Sequence, residues 1–251
     1  DVPLVEISSS PDMALTVSGG KEPLRFAYKT DLVAYTNQVV PRSEVKDSEI
    51  VFVGHGVNAP ERGWNDYAGV EVKGKTVLIL INDPDYEMEG LDGPFNGRAM
   101  TYYGRWIYKY EEAARQGAAA AIIIHDTFPA AYPWGVVVSS WTGPQLGLDL
   151  PNGHMDQSKA IGWVTLDAAK KMFASTGKDF AALSAAAKRP GFKAVPLGLK
   201  ASLAFDNSIR KQASKNVVGL LPGKARADEY VLYSAHWDHI GHCEPVKGDG
   251  I

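Results

Sequence analysis

Residues 104–126, GRWIYKYEEAARQGAAAAIIIHD, decide the class of fold. From Gly104 to Gln116 the spacing predicts a helix. Trp106, Ile107, Tyr110, Ala113 and Ala114 fall on one face, and Gly117 stands where a left-handed glycine ends a helix. Ala118 to Ile124 follows as an unbroken apolar run, the pattern of a strand buried on both faces. Upstream, Thr76-Val77-Leu78-Ile79-Leu80-Ile81 is a second such run. Strand, helix and strand in that order make a βαβ unit with a right-handed crossover. The expected fold class is therefore mixed α/β.

Working outward, Ile50-Val51-Phe52-Val53 reads as another strand, meeting a Gly54-His55-Gly56 turn. Asn82-Asp83-Pro84-Asp85 stops the run at Ile81, and residues 83–97 form an acidic, glycine-rich loop with Glu87, Glu89 and Asp92. That spacing does not match a calcium loop of the EF-hand type, so a solvated loop is the expectation. Pro129 to Pro151 reads as loop, with Trp134 and Trp141 placed either to shape a pocket or to pack on the sheet. Ala160 to Val164 is expected as strand, and Leu166 to Ser175 and Phe180 to Lys188 as helices, split by Gly177 and closed by Pro190-Gly191. At the front, Val2 to Ile7 fits a strand and Ser18-Gly19-Gly20-Lys21 a turn. Leu199 to Phe205, Asn216 to Leu221 and Tyr230 to Ala235 complete the expected strands.

Composition narrows the function. The chain has 251 residues and a net charge of −3, which disfavours a nucleic-acid groove or a polybasic membrane surface. Its longest apolar stretch is too short to span a bilayer. No charged segment followed by an apolar one opens the sequence, so an export signal is expected to be removed or never present. One cysteine, Cys243, excludes an internal disulfide and a cysteine-based metal knuckle. A serine-hydrolase elbow, Gly-x-Ser-x-Gly, is absent, and so is the His-Glu-x-x-His of the zincins.

The chemistry-bearing pattern lies late, in Tyr230-Val231-Leu232-Tyr233-Ser234-Ala235-His236-Trp237-Asp238-His239. An apolar run leads directly into His236-x-Asp238. Neutral imidazole is a good zinc ligand, and a nearby carboxylate orients it or polarises a bound water. Ligands in open α/β sheets bind beyond the carboxyl ends of strands, where this pair falls. The competing reading is a strand whose polar end merely caps the next loop. His125 also closes an apolar run, as a second ligand or as a hydrogen-bonded structural histidine.

Together with Asn216-Val217-Val218-Gly219-Leu220-Leu221-Pro222-Gly223, the stretch Tyr233 to Gly241 resembles the opening of the catalytic core in family-28 zinc metallopeptidases, the co-catalytic dinuclear-zinc aminopeptidases and glutamate carboxypeptidase relatives. The region from about Glu49 to Pro190 resembles their protease-associated domain, most clearly in Phe95 to Trp106, continuing to Ala118. The resemblance implies an N-terminal segment at 1–48 that belongs to or packs on the peptidase core. It implies a protease-associated domain at 49–192, inserted before a catalytic domain that begins at 193–251 and is truncated.

By the same resemblance, His236 matches the first zinc ligand and Asp238 the catalytic carboxylate that holds that ligand's surroundings. His239 is common in the motif without being a ligand, and His242 matches no role. Two zinc ions, peptide substrates and a periplasmic or secreted location are implied for the intact protein. A bridging Asp is expected just after the phrase begun by Gly248-Asp249-Gly250-Ile251, then a Glu-Glu pair, a further carboxylate and a final His. The chain on its own is thus expected to be an inactive fragment. The loops His55 to Trp64 and Ser139 to Gly143 are the implied substrate-facing candidates. The alternative is a non-catalytic binding module or receptor-like relative.

Overall fold

The structure, a computed structural model, describes residues 1–226 and 228–236. Its centre is the expected pair of apolar strands. The strand Thr76–Leu80 lies parallel to Ala120–His125, with Val77 beside Ala121 and Leu80 beside Ile124. Every residue of Ala120–His125 is buried.

In chain order the strands are β1 (Val2–Ser9), β2 (Ala14–Ser18), β3 (Leu24–Ala27), β4 (Leu32–Tyr35), β5 (Arg42–Phe52), β6 (Asn58–Ala59), β7 (Trp64–Asn65), β8 (Thr76–Leu80), β9 (Ala120–His125), β10 (Pro144–Leu148), β11 (Ala160–Thr165) and β12 (Val195–Ser214). The helices are α1 (Trp106–Arg115), α2 (Thr127–Ala130), α3 (Trp134–Trp141), α4 (Leu166–Ser175) and α5 (Phe180–Ala187).

Among the described residues, one large mixed sheet runs in the order β10-β1-β12-β5-β8-β9-β11-β4, with β2 on β12 and β3 on β2. The contiguous strands β5, β8, β9 and β11 are parallel, and antiparallel neighbours flank them on both sides. A parallel strand has both faces covered, and the alternation of β8 shows how. Leu78 joins Ile122, Ile124, Phe52, Met172 and Phe173 on one face. Val77 and Ile79 join Ile123, Tyr110, Trp141 and Trp163 on the other. Residues Asp1–Lys215 make one compact unit; Asn216–Ile251 make a second, described as far as His236 and containing neither helix nor strand among its described residues.

The helix ends follow the expected chemistry. After α1, Gly117 adopts φ +76° and donates its N–H to the Ala114 carbonyl, while the N–H of Ala118 reaches Ala113. That pair of bonds is the Schellman closure, which a residue with a side chain adopts only under strain. Asp179 accepts from the N–H groups of Ala181 and Ala182 at the start of α5, and Thr165 accepts from Ala168 at α4.

Three expectations are corrected. The inward face of α1 keeps Tyr110 and Ala113, but Trp106 and Ile107 are 38% and 42% exposed, and Lys109 and Glu112 are buried in their place. These polar groups are tolerated because their polar ends are hydrogen-bonded, Lys109 to carbonyls and Glu112 to Asn58, Arg115 and Gln116. Pro129 to Pro151 is not loop throughout. It holds the second half of α2 and all of α3 and β10, because Val137 and Trp141, four apart, bury together and β10 pairs with β1. The strands expected at Asn216–Leu221 and Tyr230–Ala235 do not form. Val217, Leu221 and Tyr233 are more than 90% exposed, and a strand without neighbours has neither ladder bonds nor a face to bury.

Candidate functional site

The four parallel strands all end at one edge of the sheet, and the residues just beyond them gather there. His55 follows β5, Asn82 and Asp83 follow β8, His125 ends β9 with Asp126 next, and Leu166 follows β11. This is the edge at which open α/β sheets place their ligands.

A buried polar network underlies it. Lys109, on α1, projects inward and donates to the carbonyls of His55 at 2.6 Å and Asn82 at 3.0 Å. Burial lowers the Lys109 ammonium to about 8, against the pull of Asp83 and Asp66. Asp66 accepts from the Val57 N–H at 3.0 Å and the Trp64 indole at 2.7 Å. Burial nonetheless pushes its carboxyl up to about 7. Asp83 is raised for the same reason and binds both the N–H and the hydroxyl of Thr101. Asp85 accepts from the N–H groups of Phe95 and Gly97, and a Cβ at position 93 would collide with that carboxylate, which is why glycine stands there.

His55 itself is buried, and its Nδ1 lies 3.0 Å from the Asn82 carbonyl. A carbonyl only accepts, so Nδ1 carries the proton and Nε2 keeps its lone pair. Burial first, then the Lys109 charge, lowers the imidazole to about 3, with the Asn82 carbonyl opposing, so the ring is neutral. Nε2 has no hydrogen-bond partner among the described residues.

His125 takes the structural role of its two readings. Its Nε2 donates to the Tyr132 carbonyl at 3.0 Å, and Tyr132, Trp134 and Trp163 surround the ring. The candidate loop His55 to Trp64 is largely folded inward. Val57, Ala59 and Trp64 form a small core with Phe95, while Pro60 to Gly63 face outward. Ser139 to Gly143 comprises the end of α3 and the turn after it, with Trp141 buried and Ser139 and Ser140 exposed. In the acidic loop, Glu87 pairs with Lys188 at 2.6 Å and Glu89 with Arg98 at 3.9 Å.

His236 is exposed in the second unit. Asp238, His239, His242, Cys243 and the phrase Gly248 to Ile251 lie outside the described residues. Among the described residues no three His, Cys, Asp or Glu side chains come close enough together to hold a metal ion, and no helix is long and apolar enough to cross a membrane. Zinc sites take three or four protein ligands. The described residues offer His236 alone by motif and so do not build a zinc site themselves.

Sequence reasoning missed the network of Lys109, Asp66, Asp83 and Asp85. One signal was available: Lys109 sits between Tyr108 and Tyr110, beside the inward face of the helix.

No protein-family profile matches the chain, and no curated protein does. Among solved structures, an aminopeptidase from Aneurinibacillus sp. strain AM-1 is similar over 84% of this chain, at 20% sequence identity and a TM-score of 0.39. The chain spans 35% of that protein's length.

Proposed function

We propose that this chain is part of a zinc-dependent exopeptidase of the aminopeptidase type, with His236 as a metal ligand and Asp238 as the carboxylate that orients it. The observation that carries the reading is the apolar run Tyr230 to Ala235 leading into His236-x-Asp238, with the phrase Asn216 to Gly223 ahead of it. In this reading the remaining ligands come from outside the described residues. The chemistry is hydrolysis of a peptide bond near a free terminus, with peptides as substrates and the periplasm or exterior as the place of action. In this reading residues 49–192 are the protease-associated domain, residues 1–48 belong to or pack on the peptidase core, and the catalytic domain begins at 193–251.

Zinc content by mass spectrometry and hydrolysis of aminoacyl p-nitroanilides, measured on the same natural protein, test this. The expected outcome is bound zinc and activity together, both lost in His236→Ala, with activity lost and the fold retained in Asp238→Asn. Natural protein that is metal-free and inactive overturns the reading and favours a binding module. Zinc content and activity unchanged by His236→Ala overturn it as well.

A further inference from the structure

At the carboxyl edge of the parallel strands lies a cavity of about 190 Å³. Leu80, Ile81, Ile124, Leu166 and Phe180 give it an apolar lining, drawn from the ends of β8 and β9 and from α4 and α5. Tyr86, Glu87, Asp126 and Lys188 also line it, together with two neutral polar side chains, His55 and Ser184. Each carries a buried atom without a hydrogen-bond partner among the described residues, Nε2 of His55 and Oγ of Ser184. His55 is 1% exposed, and its other ring nitrogen is committed to Asn82. A buried polar atom left unpaired is unfavourable, and a bound hydrogen-bond partner would relieve it.

The charged groups of the rim are already engaged. Glu87 binds Lys188 and accepts the Tyr86 hydroxyl at 3.1 Å. Asp126 caps α2, accepting from the Phe128 N–H. An anion entering here meets Asp126 and Glu87. A cation meets Lys188 and the Lys109 ammonium beside His55. A neutral occupant suffers neither repulsion. An apolar cavity of about 150 Å³ is known to admit benzene, so this one has room for a single ring with one substituent.

We propose that this cavity is a binding site for a small neutral molecule of the phenol class, a single apolar ring bearing a hydroxyl. Its O–H donates to His55 Nε2, the Ser184 hydroxyl is the second polar partner, and the ring lies against Leu80, Ile124 and Phe180. The site is separate from the His236 motif and needs neither metal nor peptide. Its success or failure is therefore independent of the peptidase reading.

The test is a titration of ¹⁵N-labelled protein with phenol and with benzene, without added metal, following the His55 Nε2 resonance. The expected result is a saturable shift with phenol and at least tenfold weaker binding of benzene. Ser184→Ala should weaken phenol several-fold and leave benzene unchanged. Ser184→Phe, which fills the cavity, should abolish the phenol shift, and Ser184→Ala carries the test if that larger side chain disturbs folding. No saturable shift at His55, equal affinity for the two molecules, or phenol affinity unchanged in Ser184→Ala would each overturn the proposal.

Discussion

Two stretches of nearly equal apolar character meet opposite fates in this protein. Thr76–Leu80 becomes β8, with Val77, Leu78 and Ile79 fully buried. Tyr230 to Tyr233, richer in strand-favouring residues, forms no strand, and these four side chains are 78–92% exposed. The difference is in neighbours. β8 has β5 on one side, β9 on the other and helices over both faces. Apolar side chains supply a driving force for burial, but a strand also needs partners for its N–H and C=O groups. The comparison teaches that an apolar run in sequence states a demand, which the surrounding chain must meet.

The sharpest way to break that comparison is a matched pair of truncations. Leu78→Ala should lose about 2–5 kcal/mol, since it empties a site between packed layers. Leu232→Ala should change stability by less than about 0.5 kcal/mol, as an exposed substitution does. Urea denaturation of both variants decides, and equal losses would end the contrast.

A smaller effect tests whether the polar network beneath the sheet edge holds the packed region together. Lys109→Met keeps the stem of the side chain but leaves the His55 carbonyl without its donor. A loss of about 1–3 kcal/mol is expected. A more stable variant would mean that burying the ammonium costs more than its hydrogen bonds return, which the same urea experiment reads.

The smallest expected effect is one of pH. Asp66 is ionised in the unfolded chain above about pH 4 but holds its proton in the fold to about 7. Its contribution to stability is therefore full below about pH 4 and lost as pH rises through about 7. His55 works the other way. The unfolded chain takes up that proton below about pH 6.5, while the folded ring stays neutral down to about 3. Its contribution is full above about 6.5 and lost as pH falls toward 3. Between about pH 4 and 6.5 the two oppose, each at up to ~1.4 kcal/mol per pH unit. His125, also lowered by burial, sides with His55, and Lys109 titrates above the window. Stability of Asp66→Asn should rise with pH across the window, and that of His55→Gln should rise less steeply than wild type or fall. Urea midpoints at three pH values measure both slopes, and identical slopes in the two variants would contradict the opposition.

Much of the packed region was legible in sequence because its signals are local. The βαβ unit, the glycine after α1, and helices α4 and α5 rest on period, run length and cap residues, which a linear reading contains. The short helix α3 was not, since Trp134 to Trp141 is rich in β-branched residues of low helix propensity. Only the burial of Val137 and Trp141 against the sheet makes it worthwhile. The length of β12 was hidden too. Leu199 to Phe205 reads as a short strand, but β12 extends over 20 residues because β1, β2 and β5 all pair with it.

The candidate site divides along the same line. The order of residues by itself determined an α/β body and raised the proposal of a metal ligand at His236-x-Asp238, because strand pattern and motif spacing are properties of the chain read end to end. Tertiary structure alone decided that Lys109 and Asp66 gather about His55 and that Ser184 lines a cavity with it. They come from four separate segments, and their altered protonation and unpaired atoms arise from exclusion of water, which no single segment encodes.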